Sequence, residues 1–357
     1  MINISLCMIV KNESEVICRC LDSVKNIIDE IIIIDTGSTD NTKAIVGRYT
    51  DKVFDFVWID DFASARNFAF SHASMDYILW LDADDVLLEP EGQKLLQLKQ
   101  TLDRSIDTVS MHYHLAFDSE RNVTSSLRRN RLVKRLKGFQ WHGAVHEYLA
   151  VGGHILNSDI AITHQPIEHD SDRNLYIYER RLAAGATFTP RDLFYYANEC
   201  LDHKNYERAI EYYLKFLDSK QGWIEDNITA CGKLADCYYS LGDIERERKY
   251  TLTSFEYDTP RAEFCCRLGY GFLQKSEWQK AIFWYKLATQ LEKPKNSWGF
   301  FNEVCWTWLP HLQLCVCYDR LGEYKLAYEH NEIARKYRPN DEQVLHNKKY
   351  LDSVINK

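Results

Sequence analysis

Between residues 4 and 81 short apolar runs take turns with amphipathic segments, and this alternation constrains the fold more than any other feature of the chain. The runs are Ile4 to Val10, Ile31 to Ile34, Val53 to Trp58 and Tyr77 to Leu81; between them lie Ser14 to Lys25, Asn41 to Tyr49 and Ala63 to Ala73. Buried strands alternating with amphipathic helices predict βαβ units, a mostly parallel sheet and helices on its faces. After residue 100 the pattern changes. Thr108 to Ala116 and Ala144 to Val151 follow a period of two, which predicts a mixed or antiparallel extension. This α/β domain is expected over residues 1–180.

From about Pro190 the chain becomes helical and repeats itself. Related stretches end at Ala209, Glu247, Ala281 and Ala327, spaced by 38, 34 and 46 residues. They resemble the tetratricopeptide repeat. The fourth unit carries Tyr318, Ala334 and Pro339 where that pattern asks for them, and the third carries Gly269 and Ala288. Glu247 stands where the pattern wants a small residue, so the packing of the second unit is expected to deviate. The long last gap predicts an insertion around Trp298 to Phe301 and Trp306 to Trp308, whose aromatics read as exposed. An all-α repeat domain is therefore expected over 190–357, because such helix pairs bury a face only by stacking on a neighbour.

Composition narrows the function classes. The chain has 357 residues, 45% hydrophobic and 27% charged, enough apolar content for two ordinary domains. A net charge of −8 argues against nucleic acid as a partner, since nucleic-acid surfaces carry a basic excess. One basic stretch, Arg128 to Lys137, suits either a phosphate-rich ligand or a solvated charged strand. The longest aliphatic run, Ile31 to Ile34, is too short for a membrane span, and Met1-Ile2-Asn3 runs into a strand without a basic leader. The eleven cysteines form no CxxC pair and read as buried thiols of a reducing, cytoplasmic protein.

Several strand exits carry chemistry. Leu81-Asp82-Ala83-Asp84-Asp85 places three carboxylates after the apolar Tyr77 to Trp80. In an open α/β sheet ligands sit at the carboxyl ends of the strands, and one or two carboxylates there can hold a hard divalent cation while phosphates add oxygens. Asp-rich loops also cap helices and form turns. Asp35 ends a second strand and is followed by Thr36-Gly37-Ser38-Thr39-Asp40; Asp35 can accept hydrogen bonds from a base or ribose, and Gly37 lets backbone approach a ligand. Val10-Lys11-Asn12-Glu13 ends the first strand at the same edge. Ala65-Arg66-Asn67 precedes the Asp-rich turn, with Arg66 as a planar donor fork.

These four motifs, in this order over some eighty residues, resemble the family 2 glycosyltransferases of GT-A fold. With the repeats added, the chain is similar to the subgroup that includes the sublancin S-glycosyltransferase. The resemblance implies a Rossmann-like, mostly parallel mixed sheet followed by the tetratricopeptide domain. It implies a nucleotide-sugar donor, UDP-type first, held by Val10, Asn12, Glu13, Asp35, Gly37, Ser38, Arg66, Asp82 and Ala83. Asp35 would hold the nucleoside, Arg66 would lie near base and phosphates, Asp82 would touch ribose or sugar, and Asp84 would bind Mg²⁺ or Mn²⁺. His164, after the strand-like Asp159 to Thr163, resembles the late histidine that completes such a metal site.

On the acceptor side, Gly138 to Glu147 resembles a Trp-x-Gly-x-x-His-Glu signature of the subgroup. Glu147 or His146 would take the acceptor proton, with Trp141 and His142 beside the acceptor. The implied function is an inverting, metal-dependent transfer of a sugar to a peptide or protein side chain presented near the repeats. A lipid-linked or polysaccharide acceptor, or an inactive peptide-binding scaffold, are the alternatives. The repeats equally suit self-association into a homo-oligomer.

Overall fold

A computed structural model describes residues 1–117, 123–167, 172–294, 299 and 301–355. The chain separates into two compact units, Met1–Phe188 and Thr189–Lys357.

The first unit contains β1 (Ile4–Val10), α1 (Ile17–Val24), β2 (Glu30–Asp35), α2 (Thr42–Val46), β3 (Val53–Asp55), α3 (Phe62–Ser71), β4 (Tyr77–Trp80), β5 (Asp85–Val86), α4 (Glu89–Thr101), β6 (Thr108–Phe117), β7 (Val123–Lys134), β8 (Gln140–His142), β9 (Tyr148–Ala150), β10 (Ile155–His164) and α5 (Asp172–Ala183). Eight strands form one sheet in the order β3-β2-β1-β4-β7-β6-β10-β5. The first four are mutually parallel; β7 runs antiparallel to β4 and β6, β10 is parallel to β6, and β5 closes the edge antiparallel to β10.

Both faces are covered, which is why β4 is wholly apolar and β1 is so apart from Ser5. Along β4, Tyr77 and Leu79 join one core with Leu6, Met8 and the inner face of α1, while Ile78 and Trp80 join a second core with Ala69 and Phe70 of α3. The spacing of Ile17, Cys20, Leu21 and Val24 puts four apolar side chains on one face of α1. Asp61 caps α3 by accepting from the Ser64 backbone N–H at 2.8 Å. The sheet brings the carboxyl ends of β1, β2, β4 and β10 to one edge.

Two expected strands are shorter than the pattern suggested. The run Val53 to Trp58 keeps ladder pairing only to Asp55. Ala144 to Val151 is extended only over Tyr148–Ala150, because Gly143 (φ 97°) and His146 (φ 50°) turn the backbone out of the β region. Ten of the eleven cysteines are buried free thiols, and Cys18 is half-buried. Among the described residues no helix is long and apolar enough to cross a membrane.

The second unit is a tetratricopeptide-type array: α6 (Pro190–Asp202), α7 (Tyr206–Ser219), α8 (Ile224–Ser240), α9 (Ile244–Thr253), α10 (Ala262–Leu273), α11 (Trp278–Gln290), α12 (Leu309–Arg320), α13 (Tyr324–Tyr337) and α14 (Glu342–Ile355). Its first four helix pairs share one turn. The N–H groups of Asn205, Asp243, Glu277 and Glu323 bond the carbonyls of Cys200, Tyr238, Phe272 and Tyr318, each five residues back. A left-handed residue precedes each donor: Lys204, Gly242, Ser276 and Gly322. Ala209, Ala281 and Ala327 are fully buried, and Glu247 sits half-buried in the equivalent place. The deviation expected of the second pair follows, since Thr251 is the one buried residue of α9.

Of the insertion aromatics, Trp298 and Phe300 lie outside the described residues. Phe301, Trp306 and Trp308 are half-buried and not exposed as expected. Trp306 Nε1 donates to Glu263 at 2.8 Å, and Arg338 lies 5.0 Å from the Trp308 ring.

Candidate active site

At the carboxyl edge of the sheet lies a cleft of about 300 Å³, lined by the ends of β1, β4 and β10 and by the loop 143–147. The Asp-rich turn sits on its floor, and its three carboxylates point three ways. Asp82 meets Arg66 of α3 (Nη2 to Oδ1, 2.7 Å). Asp85 turns into the sheet and pairs with the fully buried Arg131 of β7 at 2.9 Å. Asp84 faces His164 across 3.4 Å.

The pairings set the electrostatics. Burial alone would raise the Asp82 pKa, but the Arg66 and Arg131 guanidinium charges hold it below the usual carboxylate range. Burial would lower His164, yet hydrogen bonds and charge from Asp84 and Asp85 raise it to about 9. Glu13, under burial and the charges of Asp84 and Asp82, is raised to about 7. The Tyr113 hydroxyl lies 2.8 Å from His164 Nδ1 and fixes the ring.

Arg66 is the hub of the acceptor-side wall. Its guanidinium lies 5.0 Å from the Trp80 ring and 4.8 Å from Trp141, and its Nε donates to Glu147 Oε1 at 2.5 Å. One buried cation thus orients the carboxylates of Asp82 and Glu147. Asn67, its neighbour on α3, accepts from the Trp141 N–H at 2.8 Å and donates to the Trp141 carbonyl at 3.0 Å, tying α3 to β8. His146 lines the cleft with a left-handed backbone, a conformation costly for a non-glycine residue and common where sites are held under strain.

Of the residues expected to bind the donor, Val10, Glu13, Arg66, Asp82 and Ala83 line the cleft, and Asp84, Trp141, His146, Glu147 and His164 line it too. Asp35, Asn12, Gly37 and Ser38 stand behind that lining. Asp35 Oδ1 accepts the N–H groups of Gly37 and Ser38, both at 2.9 Å. Those bonds and the Lys43 charge outweigh burial and lower its pKa. Its Oδ2 is buried and has no hydrogen-bond partner among the described residues. Asn12 accepts from Thr39 N–H at 2.8 Å and donates to Ser38 Oγ at 3.0 Å, knitting the first two loops together.

Of the two residues expected on the acceptor side, Trp141 lines the cleft and His142 does not. Trp141 is 3% exposed, stacked edge-on against Trp80 at 4.7 Å, so it is mostly core with one edge at the cleft. His142 points away, exposed and 5.7 Å from the Tyr148 ring, as the period of β8 requires. Sequence reasoning missed Tyr113, Arg129, Trp58, Phe62 and Arg173 of the lining. Tyr113 was legible in principle: it sits between His112 and His114, and strand alternation sends it to the opposite face, toward His164.

The donor set suits a divalent cation. Ligand atoms of Asp84, Asp85 and His164 lie within 4.8 Å of one another, combining carboxylate oxygens with an imidazole. Arg131 engages Asp85 Oδ2, while Asp84 and His164 face each other at the cleft and are the natural first ligands, with the unpartnered Asp85 Oδ1 beside them.

Strand order, Asp-rich turn and edge cleft together are those of a GT-A-like sheet domain. Residues 5–151 match the family model described as Glycosyl transferase family 2. The SPbeta prophage-derived glycosyltransferase SunS of Bacillus subtilis is 30% identical over 232 residues, 59% of this chain and 52% of that one. A TPR repeat-containing protein of Synechococcus elongatus is 50% identical over 88 residues, 25% of this chain and 22% of its own. The chain thus spans about half or less of the length of these curated relatives. Among solved structures, the C-terminal part of a TPR repeat-containing protein from Cytophaga hutchinsonii overlays with a TM-score of 0.42 at 13% identity, covering 52% of this chain and 67% of that chain.

Proposed function

We propose that this chain is a metal-dependent, inverting glycosyltransferase that moves a sugar from a UDP-sugar to a peptide or protein side chain. The observation that carries the reading is the meeting of Asp84 and His164 beside Asp82, at the carboxyl edge of a parallel sheet, under a cleft of ligand size.

Each residue has a task in this reading. The unpartnered Oδ2 of Asp35 is a buried acceptor suited to a base N–H, with Gly37 and Ser38 fixing its other oxygen. Val10, Glu13 and Ala83 shape the nucleoside and diphosphate walls, with Asn12 holding the first two loops together behind them, and Asp82, oriented by Arg66, accepts from ribose or donor-sugar hydroxyls. Asp84 and His164 would hold Mg²⁺ or Mn²⁺, which when bound supplies positive charge against the leaving diphosphate. Glu147, aimed by Arg66, takes the proton of the acceptor hydroxyl or thiol as the nucleophile bonds to the anomeric carbon and the diphosphate departs. A single displacement of this kind inverts the anomeric centre.

His146 is the second reading for the base, favoured by its strained place in the cleft. The repeat unit suits a peptide or protein acceptor, because such arrays bind extended and helical segments. Release of UDP from UDP-sugars with Mn²⁺ and a peptide acceptor separates the bases. Glu147→Gln is expected to lower turnover about 100-fold or more, and His146→Gln far less. Loss confined to His146→Gln transfers the role to the histidine, and full activity in both variants contradicts the mechanism.

A further inference from the structure

Arg131 is a fully buried cation in the middle of the sheet, and the site as described assigns it no chemistry. Its guanidinium carbon lies 3.8 Å from the Trp80 ring and 4.4 Å from the Tyr113 ring, with Asp85 at 2.9 Å and the Trp80 carbonyl at 3.3 Å. Nε and Nη2 have no hydrogen-bond partner among the described residues. A buried ion pair costs more in desolvation than a well-packed apolar pair of similar volume, so stability alone does not account for it.

Its partner is tied to the cation loop through Oδ2 and the backbone N–H, while the buried Oδ1 has no hydrogen-bond partner among the described residues and lies 3.7 Å from His164 Nδ1. Asp85 Oδ2, the atom that takes Arg131, also accepts the Asp82 N–H at 3.0 Å, while the Asp85 N–H bonds the Asp82 carbonyl at 3.1 Å. Asp85 is in register with His164 across the β5–β10 ladder, and Gln165 N–H reaches the Asp84 carbonyl at 2.9 Å. Tyr113, whose ring covers Arg131, holds His164 through its hydroxyl.

We propose that the buried Arg131–Asp85 pair is the positioning device of the site: it pins the 82–85 turn against β10 and thereby sets the separation of Asp84 and His164. Asp85 is then the anchor of the turn through Oδ2, the oxygen that takes Arg131. The inference rests on the reading of Asp84 and His164 as cation ligands. Arrangements that orient metal ligands from behind carry roughly 10- to 100-fold in affinity when removed.

The test is Mn²⁺ binding by calorimetry to the full chain with UDP present, alongside thermal unfolding, in wild type, Asp84→Asn, Arg131→Met and the double variant Arg131→Met/Asp85→Leu. Arg131→Met is expected to lower both Tm and Mn²⁺ affinity, because it strands a buried carboxylate. The double variant removes both charges, regains most of the lost Tm and still binds Mn²⁺ about tenfold or more weakly. Weaker Mn²⁺ binding in Arg131→Met, which keeps Asp85, together with the regained Tm of the double variant, is a split that a merely structural role would not produce. Mn²⁺ affinity within about two-fold of wild type in Arg131→Met or in the double variant overturns the proposal alone. No Mn²⁺ binding by wild type, or binding that Asp84→Asn leaves intact, overturns the cation reading beneath it.

Discussion

Removal of Arg66 is the perturbation whose size the structure defines best. The side chain is 10% exposed, lies between two tryptophan rings and serves two carboxylates. Arg66→Met keeps much of the apolar stem and deletes the charge. Glu147, with a carboxylate 11% exposed, then loses a near-buried partner, while Asp82 is 33% exposed and water screens part of its loss. Breaking a buried pair from one side costs about 3–5 kcal/mol, and the solvated Asp82 arm places the expected loss near the lower bound, about 3 kcal/mol. For a unit of this size that corresponds to a fall in Tm of about 6–12 °C. Thermal unfolding followed by tryptophan emission reads the change, since Trp80 and Trp141 flank the charge. The double variant Arg66→Met/Glu147→Gln removes the stranded carboxylate and should recover part of the loss, giving a coupling of about 1 kcal/mol or more. A single-variant loss under about 1 kcal/mol, or strict additivity in the cycle, would refute Arg66 as the electrostatic hub.

Two further predictions concern the two units separately. Burial alone would raise Glu30, but hydrogen bonds from Lys52, Ser5 and Ser74 hold it down to about 2. A depressed carboxylate stabilises the fold fully above its unfolded pKa and loses that contribution as pH falls toward the folded value, so wild-type Tm should drop between about pH 4.5 and 2 while Glu30→Gln, less stable at pH 7 by about 2–3 kcal/mol, shows a flatter acid limb; parallel acid limbs would contradict this. In the repeat unit, a Cβ at Gly269 would stand 2.9 Å from the ring of Tyr285, itself 1% exposed. Gly269→Ala therefore sets an overpacking cost of about 1–3 kcal/mol against a helix-propensity gain of about 1, and a net fall in helical Tm by circular dichroism is expected; a more stable alanine variant would show that α10 and α11 can move apart freely.

Much of the scaffold was legible because its signals are local. The apolar runs Ile4–Val10 and Tyr77–Trp80 became strands with those bounds, since both faces of the sheet are covered and the one polar residue in them, Ser5, is bonded to Glu30. The repeat showed itself through its turn and its alanines, and Glu247 marked the weak pair in advance. What stayed illegible depends on partners distant in sequence. The basic run from Arg128 suited a phosphate-rich ligand or a solvated charged strand, yet Arg131 is buried because Asp85 and two aromatic rings await it across the sheet. Trp141 was expected beside the acceptor, and its packing stayed hidden because nothing nearby in sequence announces Trp80 and Phe70 as its partners. The Asp-rich turn announced three carboxylates but not their division of labour, which Arg66, Arg131 and His164 decide from three separate elements.

The central claim is that Asp84 and His164 form a cation site serving a nucleotide diphosphate. Calorimetric titration of UDP, with GDP and CMP as controls, with and without Mn²⁺, tests it most directly in wild type and Asp84→Ala. Selective UDP binding that Mn²⁺ strengthens, and that Asp84→Ala uncouples from the metal, is the predicted result. Failure to bind any of the nucleotides, or UDP binding that neither Mn²⁺ nor the substitution alters, would contradict it.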